Sequence, residues 1–153
     1  MNRLLVMLGM CVFLWASCAH AVITDELIMV RSEQGFPETM SALQAAIKQQ
    51  GYTLSRVQRV DIGLTSSGYQ TDKYRVVFFG KAEEVHELMQ SHPEIIPYLP
   101  LKIAIFAEGE ETILISSNPV AFIELFGNPD LDKIFRQWKK DVVDILNSVQ
   151  FSD

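Results

Sequence analysis

Apolar and polar positions along this chain repeat with two different periods, and each change of period marks an element. Leu27 to Val30, just after Asp25-Glu26, is a short apolar run that predicts a buried strand. Phe36, Met40, Leu43 and Ile47 follow at spacings of four, three and four, which puts them on one face of a helix. Pro37 suits the first turn of that helix and Gly51 its end. Tyr52 to Val60 predicts a strand, with Tyr52 and Leu54 out of phase with Val57, as a bulge would produce. Gly63 to Gln70 is polar and glycine-bearing, so a loop or short irregular turn is expected there.

Tyr74 to Phe79 is a strongly β-forming run closed by Gly80. Lys81 to Gln90 predicts a helix with Val85, Leu88 and Met89 on its inner side, stopped by Pro93. Pro93, Pro97 and Pro100 fence an apolar connector from Ile95 to Leu99. Leu101 to Ala107 and Thr112 to Ser116 flank an acidic turn, Glu108-Gly109-Glu110-Glu111, and predict a β-hairpin. Asn118-Pro119 opens a short helix to Phe126, and Asp130 is expected to cap a longer one reaching about Val149. Consecutive strands without crossover helices imply an α+β fold: a mainly antiparallel sheet of about five strands, helices packed on one face, and a long C-terminal helix.

The first residues change the picture. Arg3 is a short basic start, Leu4 to Trp15 is an unbroken apolar run, and Ala19-His20-Ala21 is a small-residue cleavage site, which together read as a cleavable export signal over residues 1–21. A run ending at Trp15 is short of the roughly 20 residues of a membrane span. Cleavage would leave residues 22–153 as one α+β domain in the periplasm, with no integral membrane span. A lipoprotein anchored through Cys18 is a minor alternative, because Trp15 stands three residues before it where an aliphatic residue is favoured.

Both cysteines lie in that leader, so the mature domain would have no thiol for disulfides, zinc, iron–sulfur clusters or nucleophilic catalysis. Loss of Arg3 with the leader leaves 12 Lys and Arg against 19 Asp and Glu, a net charge of −7. That balance argues against nonspecific binding of nucleic acid or anionic membrane.

Phe36 with the helix to Gly51, Val77-Phe78-Phe79-Gly80, Leu99-Pro100-Leu101-Lys102-Ile103 and the hairpin leading to Asn118-Pro119 stand in an order and spacing that resembles the bacterial and archaeal family catalogued as domain of unknown function number 302. The resemblance runs from Val30 to about Phe126. It implies a compact fold similar to the TATA-binding-protein-like arrangement, often as a homodimer, and no known reaction. The chain departs from the common family pattern at Lys81-Ala82, where many members have Asn-Pro, and near residue 117, where an acidic residue often precedes the proline.

No catalytic motif is present. Gly63 to Gly68 has the glycine spacing of a phosphate loop, but Tyr69-Gln70 replaces the Lys-Ser/Thr pair that would hold phosphate and magnesium. His86, Met89 and His92, with Glu83, recur every third residue and could converge on copper or haem; solvated histidines beside a core methionine are the plainer account. Arg56, Arg59, Lys73 and Arg75 lie on strands expected to pair, and form either an anion-binding patch or charged strand faces that resist aggregation. Tyr98, Leu99 and Lys102 would line a partly apolar ligand cleft beside the proline-fenced connector.

Phe135, Trp138, Val142 and Ile145 belong to a heptad-like seam that runs from Leu131 to Val149. That seam either covers the sheet of its own subunit or offers an interface. The chemistry as a whole predicts an exported, non-enzymatic domain that binds a small ligand or serves an accessory role, as a homodimer and without a cofactor. A periplasmic metal- or haem-dependent redox protein, and a structural envelope protein with protein partners, are the alternatives.

Overall fold

The structure, a computed structural model, describes residues 21–150. The basic start, the apolar run, Cys18 and Ala19-His20 of the expected leader lie outside the described residues. Six strands form one antiparallel sheet: β1 (Val22–Ile23), β2 (Leu27–Ser32), β3 (Thr53–Arg59), β4 (Tyr74–Gly80), β5 (Leu101–Glu108) and β6 (Glu111–Ser117). Their spatial order is β1-β2-β6-β5-β4-β3. The sequence predicts about five strands; the sixth is β1, two residues that pair with Met29 and Ile28 and are too short to carry a period.

Among the described residues five α-helices accompany the sheet: α1 (Phe36–Gln49), α2 (Val60–Ser66), α3 (Ala82–Ser91), α4 (Phe122–Phe126) and α5 (Pro129–Gln150). Helices α1 and α5 pack on each other and on one side of the sheet. Leu43 and Ile47 of α1 and Val142, Ile145, Leu146 and Val149 of α5 bury there against Ile28, Val30, Val77, Phe79, Ile103, Ile105 and Leu114. A second apolar cluster joins Leu88, Ile95, Leu131, Phe135 and Trp138. Tyr98 adds an aromatic margin, 4.8 Å from the Phe122 ring and 5.4 Å from that of Phe126.

Local chemistry fixes the joints. Gly109, with φ +63°, takes the first of the two positions between Glu108 and Glu111, where a II′ hairpin turn requires a residue of positive φ. The expected irregularity of β3 is a register shift between Leu54 and Arg56, so Leu54 and Val57 both face the helices.

Three local expectations need correction. Residues 60–66 are helical rather than a loop; no residue of α2 is buried, so it has no apolar stripe for a period to reveal, and the Ser66 and Ser67 hydroxyls donate back to the Gly63 carbonyl. The cap of α5 is Asn128, whose Oδ1 accepts from the Asp130 amide at 3.0 Å, with Pro129 as the first helical residue. Met89 is 47% exposed, because the inner face of α3 runs through Leu88 and Met89 lies a further 100° around the helix.

Candidate functional site

Among the described residues, one face of the sheet carries no helix, and its middle is apolar. Strand alternation sends Val77, Phe79, Ile103, Ile105 and Leu114 toward α1 and α5, and their neighbours the other way. A middle row crosses that open face as Val76, Ala104, Ile115, Met29 and Val22, with Gln58 of β3 beside Val76 at its edge. The adjoining row reads Tyr74, Phe106, Ile113 and Arg31. Tyr74 and Phe106 meet edge to face at 6.2 Å, beside a concavity of about 600 Å³ that reaches Ala104, Ile115 and Lys73. Val22 and Leu27 are 54% and 46% exposed at its far edge.

Charge marks the two ends of this face with opposite sign. Arg56 and Lys102 flank Phe78 at one end. Glu108 and Glu111 stand at the other, joined by Arg31, whose Nη1 donates to both carboxylates at 2.6 and 2.5 Å. The two carboxylates hold the Arg31 guanidinium above its ordinary pKa, chiefly through those hydrogen bonds.

On the helix side, α1 and the start of β4 enclose a groove of about 590 Å³. Met40, Ser41, Gln44, Ala45 and Lys48 come from the helix, Arg75 from the strand and Lys73 from just before it, and Phe36 with Pro37 closes one end. Lys73 Nζ and the Arg75 guanidinium lie 5.8 and 5.7 Å from the centre of the Phe36 ring. Arg75 also pairs with Asp61 of α2, and this contact holds the Asp61 carboxyl below the usual carboxylate range.

The residues predicted to form one anion patch therefore divide. Arg59 lies opposite Arg75 across β3 and β4, and Lys73 joins Arg75 over Phe36, whereas Arg56 projects onto the open face. Lys48 is the member that sequence reasoning missed; its place on the outer side of α1 became relevant only once the helix was docked beside Lys73. Tyr98 and Leu99 belong to the aromatic cluster with Phe122 and Phe126, while Lys102 stands on the open sheet face and not with them.

His86 is exposed and pairs with Gln90 at 3.0 Å, while His92, at the end of α3, lies 3.3 Å from Glu94 and 3.4 Å from Asn128. Met89 projects to solvent. No group of three or more His, Cys, Asp or Glu among the described residues is placed to hold a metal ion.

The C-terminal seam is not an outward interface. Phe135, Trp138, Val142 and Ile145 are between 0% and 2% exposed within one chain, because the sheet and α3 already cover them. The Trp138 indole N–H donates to Glu84 Oε2 at 3.2 Å. Nearby, a buried polar cluster ties α5 to the start of β3: the Tyr52 hydroxyl donates to Asp141 Oδ2, Gln137 donates to Oδ1, and Lys81 sits 4.4 Å over the Tyr52 ring. Burial, then the hydrogen bond to Asp141, pushes the Tyr52 phenol well above its ordinary pKa and keeps it protonated.

No helix among the described residues is long and apolar enough to cross a membrane. A family profile described as "Domain of unknown function DUF302" matches residues 28–149. The crystal structure of an uncharacterized conserved DUF302 protein from Bacillus stearothermophilus is similar, with a TM-score of 0.74 at 18% identity over 80% of this chain and 97% of that one. No curated protein matches the chain.

Proposed function

The chain belongs to the DUF302 family, and from that premise we propose that it is an exported, non-enzymatic binding domain that works as a homodimer, two copies meeting through the helix-free faces of their sheets. The observation that carries this reading is the open face itself. Uninterrupted apolar runs such as Val76 to Phe79 and Ile113 to Ile115 belong to strands covered on both sides, and α1 and α5 cover one side only. Six strands about 4.8 Å apart and four rows of side chains span on the order of 500 Å² in projection. With side-chain relief added, that approaches the roughly 800 Å² each partner buries in a standard interface.

A second copy also fits the charges. A two-fold axis lying in the interface across the strands would set Arg56 and Lys102 of one copy against Glu108 and Glu111 of the other. Arg3, the apolar run to Trp15 and the Ala19-His20-Ala21 site support export. Light scattering on the purified full-length gene product tests the assembly: a dimer for the parent and a folded monomer for Phe106→Glu are expected. A parent that stays monomeric at high concentration would refute it. A mass beginning at Val22 is the result expected for export.

A further inference from the structure

We propose that the groove between α1 and the start of β4 binds a small organic anion, one that carries a carboxylate or phosphate on an apolar body. This goes beyond the homodimer and stands on separate observations. Three of the nine lining residues are cationic, Lys48, Lys73 and Arg75, and none is acidic, in a chain whose net charge is −6. A local excess of positive charge against the sign of the whole chain is the signature of a site built for an anion.

The cations are also held ready. Lys73 and Arg75 both pack on the ring of Phe36, itself buried at the head of α1. The Ala107 amide donates to the Lys73 carbonyl at 2.9 Å, which fixes the backbone under that side chain. Lys48 and Lys73 carry no ion pair among the described residues, so an incoming anion displaces no carboxylate from them. Arg75 is already paired with Asp61, so Lys48 and Lys73 supply most of the charge open to the anion.

The rest of the lining specifies the ligand's other end. Pro37, Met40 and Ala45 with the edge of Phe36 present carbon, and Ser41 and Gln44 offer neutral hydrogen bonds. Beyond Pro37 the adjoining concavity, which Lys73 also borders, contains Asp72 and Glu110, and these carboxylates disfavour a second anionic group on that side. A single anionic head seated between Lys48 and Lys73, with its apolar body along α1, satisfies every wall.

Hexyl phosphate is the probe, with inorganic phosphate and hexanol as its two halves, titrated into the full chain as purified and followed by calorimetry and amide chemical shifts. Saturable binding of hexyl phosphate, tighter than either half, with shifts centred on Phe36, Ser41, Lys48 and Lys73, is the expected result. Lys48→Gln and Lys73→Gln should each weaken it about tenfold, or about 1.4 kcal/mol, with the chain still folded by its amide spectrum. Absence of saturation at millimolar probe, shifts centred elsewhere, or indifference to both lysine changes overturns the site. Inorganic phosphate binding as tightly as hexyl phosphate overturns the apolar half of the assignment. Light scattering on the same samples reads the dimer separately, so failure of either proposal is distinguishable from failure of the other.

Discussion

The Tyr52 hydroxyl donates to Asp141 Oδ2 at 2.6 Å, and the two residues, 4% and 5% exposed, join the start of β3 to the middle of α5. The contact is set where the long helix crosses α1 and the sheet, so it holds the helix layer in register with the strands. Tyr52→Phe removes the hydrogen bond and leaves Asp141 Oδ2 with the longer 3.8 Å contact to Lys81 Nζ, and is expected to lower unfolding stability by about 1–2 kcal/mol in urea titrations. The phenol's raised pKa gives the same bond a pH signature. Stability from it is complete below the ordinary phenol value of 10.0 and is lost as pH rises beyond it, a loss that Tyr52→Phe should abolish.

Asp61 gives the opposite dependence. Arg75 depresses its folded pKa, so the pairing stabilises the fold above the ordinary carboxylate value of 3.8 and is lost as pH falls below it. Asp61→Asn should therefore lower the melting temperature slightly near neutrality and leave it unchanged at the acid end, which flattens the acid limb of the profile.

Charge reversal tests how the two open faces meet. Lys102→Glu should weaken dimerisation about 5- to 30-fold at low salt, the scale of two symmetric exposed pairs at up to about 1 kcal/mol each. Adding Glu108→Lys to the same chain should restore it, since each copy supplies both ends of the face. Sedimentation at two protein concentrations reads both effects.

Trp138 is a core residue, and its replacement should behave as such. Trp138→Ala is expected to cost about 3–5 kcal/mol of stability, because the side chain is packed against Phe135 and Leu88 and its indole bonds Glu84. An unfolding midpoint close to that of the parent would contradict the packing described.

The parts of the fold that could be read in the sequence are those whose period is imposed by burial on one side. Phe36, Leu43 and Ile47 repeat at helical spacing because α1 lays one stripe on the sheet, and the hairpin is announced by two apolar runs around Gly109. Helix α2 leaves no period in the sequence because it buries nothing and is held by the Asp61–Arg75 pair. Asn128 and Asp130, two residues apart, have the same capping chemistry, and a sequence does not say which begins the first turn.

Of the candidate sites, Lys73 and Arg75 could be seen as neighbours along one strand, but Lys48 reaches them only through the docking of a helix 25 residues earlier in the chain. The terminal seam was visible as a stripe, and nothing in the stripe itself says whether the surface opposite it belongs to the same chain or another. Trp138 and Ile145 find theirs at home.

The pairing of Leu27 with Ser117 has a consequence for how the protein comes into being. The central neighbour of β2 is β6, so the sheet cannot close until nearly the whole polypeptide has been synthesised, and this long-range contact must overcome the entropy of closing the intervening loop. Until then β2 has no ladder partner in the interior of the sheet. A nascent chain halted after β5 is in that state, its sheet open between β2 and β5.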